Sequence, residues 1–254
     1  CLCTHCPVFF DRDRRTLLTD RSQVDSLDAL FSRFERVHIF SGHAHRTLYT
    51  QDADYPRFDQ YVLPATSSDM WAANNDFQAL CPDGSDAGFV VASVDGGKLR
   101  CDYRTHLYGR KVLRAYDMNA VGEYYRNDSL VRMQRRLYPD RADYGREEYA
   151  NCVYVNYWGY LPGHRVELFE EGRPLEVVQV EDEDPLYNIS HYLPELARKP
   201  VFKKGDARVV SHHMFAARAR TATAPVEIRI TDADGVLLHR ETLERPKKFD
   251  KEAR

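Results

Sequence analysis

From Cys152 to the end, the chain runs as short extended segments separated by turn residues, and this pattern limits the fold more than any other feature. Val153-Tyr154-Val155, Val166-Glu167-Leu168-Phe169, Leu175 to Val180, Met214 to Ala219, Val226 to Ile230 and Val236 to Leu243 are each a few residues long. Glu171-Gly172 and Asp232-Ala233-Asp234-Gly235 lie between such runs, at the spacing expected of a β-sandwich over 150–254. Asp232 to Gly235 reads as a hairpin turn rather than a calcium loop, because the downstream oxygen ligands are absent. Gly88 to Val94 and Lys98 to Tyr103 form a further pair of runs. Asp95-Gly96-Gly97 joins them, a hairpin signal because glycine accepts positive φ.

The amino-terminal third follows a different period. Leu2 to His5 reads as a strand end broken by Pro7. Leu27, Leu30, Phe31 and Phe34 recur at helical spacing and predict a helix over Asp25 to Arg36, capped by Ser22 or Asp25. Val37-His38-Ile39-Phe40 then reads as a strand, with Gly42 permitting a sharp exit. Strand, helix, strand is the order of an α/β layer. Pro64 to Asp86 is loop-like, and Pro185 to Pro200 is a short helix or loop. The polar, Arg-rich stretch from Arg110 to Tyr149, with Met133 to Leu137 extended, predicts a boundary. The expected organisation is therefore 1–110, a linker over 111–149, and 150–254, with a frayed tail from Pro246.

The 254 residues carry a formal charge of only -3, so no basic field favours nucleic acid and no polybasic segment favours a membrane. No apolar stretch approaches the roughly 18 residues of a transmembrane helix, and there is no signal-peptide pattern. A chain that opens at Cys1 directly on an apolar strand reads as a piece of a longer polypeptide. The rival is a lipid-carrying terminal cysteine, although such ends usually lead into polar tethers.

Chemistry concentrates in two histidine motifs, Thr4-His5-Cys6-Pro7 and Ser41-Gly42-His43-Ala44-His45, each after a short apolar run. Three imidazoles at neighbouring strand ends suit zinc, iron, manganese or nickel. Cys1, Cys3 and Cys6 could add thiolates. An extended strand, however, would put Cys1, Cys3 and His5 on one face and Cys6 elsewhere, which favours buried structural thiols. His212-His213 reads as structural because adjacent strand residues face opposite ways. Tyr157, Trp158 and Tyr160 are read as packing rather than as a stacking surface, and Asp182-Glu183-Asp184 as a solvated acidic run.

Several longer strings carry a resemblance: Leu63-Pro64-Ala65-Thr66-Ser67 with Trp71, Cys81-Pro82-Asp83-Gly84 leading to Gly88-Phe89, Val155-Asn156-Tyr157-Trp158, Asp184-Pro185, Ser211-His212-His213-Met214-Phe215, Ile230 to Gly235, and Arg245-Pro246-Lys247. Together with the two histidine motifs, they resemble the carboxy-terminal portion of the calcineurin-like metallophosphoesterase superfamily, in a subgroup typical of Bacteroidetes. The resemblance implies an α+β, β-rich fold, in which the carboxy-terminal half of a four-layer α/β/β/α domain is followed by a β-sandwich. It implies phosphate-ester hydrolysis by two divalent cations, with His5 and His43 on one metal and His45 on the other. The superfamily's D-x-H, G-D-x-x-D and G-N-H-[ED] motifs are absent, and Asp11-Arg12-Asp13 matches none of them. The chain is thus expected to be inactive without the missing amino-terminal half, to self-associate through an uncovered sheet face, and to be periplasmic or exported. The alternative is a non-catalytic β-sandwich module that binds carbohydrate or a protein partner.

Overall fold

The computed structural model describes residues 1–9, 20–68, 80–106, 109–198 and 209–249, so Asp11, Asp13 and Trp71 lie outside the described residues. The fold is α+β and β-rich. Its first sheet takes β1 (Leu2–Thr4), β2 (Val37–Ser41), β3 (Leu48–Thr50) and β4 (Phe58–Val62) in the order β1-β2-β4-β3. β1, β2 and β4 run parallel, and β3 returns antiparallel along the edge. Val37, Ile39 and Phe58 face α1 (Arg21–Leu30) and pack with Val24, Leu27 and Phe31.

Helix α1 starts at Arg21 rather than Asp25 because Asp20 caps it, its carboxylate accepting from the Ser22 amide. The helix also ends earlier than the apolar spacing predicts, leaving Leu30 71% and Phe34 44% exposed. Arg57 explains the stop. Its guanidinium pairs with Asp28 at 2.6 Å and donates to the Phe31 and Phe34 carbonyls, taking up acceptors that a continuing helix would have used.

The hairpin of β5 (Gly88–Asp95) and β6 (Lys98–Thr105) forms as expected, with Gly96 and Gly97 at φ +54° and +80° in its turn.

Eight further strands make two antiparallel sheets. β7 (Leu113–Asp117), β8 (Cys152–Tyr157), β11 (Val177–Asp182) and β12 (Ser211–Arg218) form the order β11-β12-β8-β7. The second sheet, β10-β9-β13-β14, is built from β9 (Arg165–Glu170), β10 (Arg173–Pro174), β13 (Val226–Thr231) and β14 (Leu237–Leu243). Val153, Val155 and Phe215 from the first sheet share one core with Leu168, Ile228 and Ile230 from the second. The alternate residues Tyr154, Met214 and Ala216 pack instead under α2 (Met118–Asn127), α3 (Ser129–Leu137) and the helical segment 185–198. β7 and β8 are buried along their whole length because both faces are covered.

Residues 111–149, expected to link two domains, instead carry β7, α2 and α3. β7 pairs with β8 from Leu113↔Tyr157 to Asp117↔Val153. Met133 to Leu137 is helical, not extended. Asp128 caps α3 by accepting from the Leu130 and Val131 amides, Val131 and Gln134 face inward, and Arg132 and Arg136 lie on the solvated side. In the tail, Phe249 packs edge-on against Tyr124, so the chain up to that residue is held.

Candidate metal centre

Parallel pairing in register, Thr4↔Ser41, makes the residues just past β1 and β2 leave the same sheet end side by side. The Gly42 amide donates to the His5 carbonyl at 3.0 Å, and Thr4 Oγ1 donates to the Cys6 carbonyl at 2.8 Å, turning the chain out of the strand. His43 Nδ1 then lies 3.0 Å from His5 Nε2, with the rings edge to face. Cys6 joins them. The ligand atoms of His5, Cys6 and His43 all lie within 4.8 Å of one another, with both histidines exposed and Cys6 half-buried.

Strand alternation would set Cys6 apart from His5, but β1 stops at Thr4 and the alternation ends with it. The turn also works differently from expectation. Gly42 does not adopt positive φ, and a Cβ on it would meet only the His5 carbonyl oxygen at 3.8 Å. The left-handed residues are His43 (φ +64°) and His45 (φ +53°), a conformation costing roughly 1–2 kcal/mol per residue, and such strain tends to persist where function requires it. His45 is not part of the three-residue cluster. Its Nδ1 sits 2.6 Å from the Ser68 carbonyl oxygen, so Nδ1–H donates there and Nε2 is left as the acceptor, the tautomer that metal-binding histidines commonly hold.

Behind this turn lies a buried polar web. The Thr47 amide, two residues past His45, donates to Asp83 Oδ2 at 2.6 Å. Asp83 also accepts from the Ser85 amide and hydroxyl and sits 3.1 Å from His213 Nε2, with both side chains almost wholly buried. Burial alone would raise the Asp83 carboxyl, but the His213 and Ser85 hydrogen bonds outweigh it and hold it below the ordinary carboxylate range. His213 reaches Asp83 because β11 and β12 slip between Val180↔Met214 and Asp182↔Ser211, and the irregularity reorients the side chains before Met214. His212 lies beside Glu181.

Asn156 Nδ2 donates to the Asp83 carbonyl and to Asp184, which also accepts from Tyr116 and caps the next helix through the Leu186 and Tyr187 amides. Arg114 pairs with Asp86, donates to the Gly84 carbonyl and lies over Trp158. The acidic run is therefore not a solvated one: Asp184 and Glu183 are 1% and 3% exposed, and Glu183 faces Arg141 at 3.0 Å.

A family model described as the C terminal of calcineurin-like phosphoesterase matches residues 60–236. The chain belongs to that family. The matched span begins after His5, His43, His45 and Thr47 and contains Asp83, Arg114, Asn156, Asp184 and His213, so it holds the buried side chains of the web but not the turn that they brace. No curated protein and no solved structure matches the chain. Among the described residues, no helix is long and apolar enough to cross a membrane.

Calcineurin-like phosphoesterases are generally metal-dependent, so the fit of an ion to this chain follows from its donors. A tetrahedral ion with metal–nitrogen bonds of about 2.0–2.1 Å and a metal–sulfur bond of about 2.3 Å sets its donors roughly 3.3–3.6 Å apart. The cluster spans 3.0 Å between the two imidazoles and at most 4.8 Å overall, so reaching that spacing needs the rings to part slightly and the widest gap to close by about 1.2 Å, within the reach of side-chain rotation at the two exposed histidines. The three donors fit one borderline-soft cation. They bring no carboxylate to share between two.

Proposed function

We propose that this calcineurin-like phosphoesterase chain is the carboxy-terminal portion of a metal-dependent enzyme that hydrolyses phosphate esters at a two-metal centre. The sheet β1-β2-β4-β3 with α1 forms half of a four-layer α/β/β/α domain, and the two antiparallel sheets form a β-sandwich behind it. Their joint core and the match over residues 60–236 support this reading.

His5, His43 and His45 are the chain's contribution to holding divalent zinc, iron, manganese or nickel. The cations supply Lewis acidity that offsets charge on the phosphoryl oxygens. The chain's own residues position and brace. The Ser68 carbonyl fixes the His45 tautomer, the parallel register keeps His5 and His43 adjacent, and Asp83 anchors the turn through Thr47. Bridging carboxylates come from the missing amino-terminal half of the domain. The single observation that carries the proposal is the convergence of His5 and His43, 3.0 Å apart at one sheet end, on a chain whose later residues match this family. A carbohydrate-binding module is less well supported, because Tyr157 and Trp158 are 3% and 0% exposed and offer no stacking face.

The test is hydrolysis of para-nitrophenyl phosphate with added divalent metal. The isolated chain is expected to turn over no faster than its His43→Ala/His45→Ala variant. Metal-dependent turnover clearly above that control would show that the chain carries a complete centre and would overturn the division of ligands.

A further inference from the structure

We propose that Cys6 is a metal ligand, and that in the chain by itself His5, Cys6 and His43 hold one borderline-soft, tetrahedral cation of the zinc class. The proposal rests on the metal-binding reading of His5 and His43 and adds a donor and a selectivity to it.

Three observations on the chain support the added ligand. The turn closed by the Thr4 side chain on the Cys6 carbonyl takes Cys6 out of strand alternation and puts its sulfur within 4.8 Å of both imidazole donors. Cys6 is half-buried while both histidines are exposed, so the sulfur forms the inner wall of the cluster and the imidazoles its open side. Cys6 is also in no disulfide.

Charge decides between two donors and three. Two neutral imidazoles leave both charges of a divalent ion uncompensated, whereas a thiolate offsets one of them. On binding, the Cys6 S–H bond breaks, an S–metal bond forms and one proton passes to solvent, with no change of oxidation state. Sulfur and imidazole donors favour zinc, or cobalt in its place, over magnesium and manganese, which prefer oxygen. Four-coordination leaves one position for a further donor.

Cobalt(II) separates the possibilities, because its visible bands report tetrahedral coordination and a near-ultraviolet charge-transfer band reports a thiolate bond. The full chain is used with Cys1→Ser and Cys3→Ser, since the terminal amine and thiol of Cys1 could chelate on their own. One equivalent of cobalt is expected to give both features, displaced by zinc and not by magnesium. Cys6→Ser should abolish the charge-transfer band, keep weakened visible bands, and lower zinc affinity by at least the roughly 10- to 100-fold that losing an outer partner of a metal site costs. His5→Ala and His43→Ala should lose both features, with circular dichroism confirming that each variant is folded. Visible bands without charge transfer in the Cys6-containing chain would overturn the thiolate ligand and leave the histidine pair standing. Charge transfer that survives Cys6→Ser would assign it to another sulfur and overturn the proposal. No cobalt spectrum at all would overturn the thiolate site, while the phosphoesterase reading, in which the missing half supplies further ligands, would still stand on its own test.

Discussion

Replacing Asp83 with alanine removes the acceptor at the centre of the buried web. The side chain is 1% exposed and takes the Thr47 amide, the Ser85 amide and hydroxyl, and the His213 ring. An orphaned buried donor costs about 1–3 kcal/mol, less for Thr47 because it is only partly buried. The Ser85 amide and the His213 ring, at about 1–3 kcal/mol each, with a smaller share from Thr47, give a loss of about 2–6 kcal/mol, a large part of the roughly 5–15 kcal/mol that stabilises an ordinary domain. Asp83→Asn keeps one acceptor oxygen and the volume, and should cost about half as much. Urea unfolding followed by circular dichroism measures both.

The decisive comparison is a double-mutant cycle with His213→Gln. Direct partners should couple by more than about 1 kcal/mol, whereas independent sites add to within about 0.5 kcal/mol. Because the folded Asp83 carboxyl lies below its unfolded value of about 3.9, its contribution is complete above that range and is lost as pH falls through the lowered folded value. The wild-type chain should therefore lose stability below about pH 4 more steeply than Asp83→Asn. An Asp83→Ala cost under about 1 kcal/mol, additive with His213→Gln and without a pH signature, would refute the view that this pair carries the web.

A pair of glycine substitutions distinguishes close approach from backbone strain. A Cβ on Gly84 would fall 2.0 Å from Asp184 Cγ at φ +79°, so Gly84→Ala should lower the melting temperature severely. Gly172→Ala, at φ +74° in open space, should cost only about 1–2 kcal/mol, and equal costs would contradict the packing described. Burial pushes the Cys101 thiol up to about 11, so at pH 8 iodoacetamide should alkylate it more slowly than the exposed Cys1 and Cys3; comparable rates by peptide mass spectrometry would contradict that environment. Phe40 and Tyr61 stay half-buried on the sheet face away from α1, and the chain is expected to elute ahead of a monomer at micromolar concentration, with Phe40→Ser shifting it back. A clean monomer on light-scattering chromatography would count against that.

Much of the β-structure was legible because its signals are local. Asp95-Gly96-Gly97 turns where glycine alone relieves positive φ, and Asp232 accepts from the Asp234 and Val236 amides as a hairpin turn requires. The short runs after Cys152 became strands, with bounds shifted by a few residues. Less legible were α3, whose arginines mask a narrow apolar face, and β3, which is only three residues long. At the candidate site, His5 and His43 could be singled out by type and by position after apolar runs. Cys6 could not, because its placement depends on where β1 stops.

The sequence by itself determined turns, strand alternation and the residue types able to hold a metal, since each follows from a residue and its near neighbours. The tertiary structure decided which charged groups are buried and what they hold. Asp83 meets His213 across 130 positions, Asp184 meets Tyr116 across 68, and an acidic run that looks solvated becomes a helix cap and an anchor. A carboxylate enters a protein interior only where remote donors replace its water, and those donors are chosen by how the sheets pack rather than by the residues on either side.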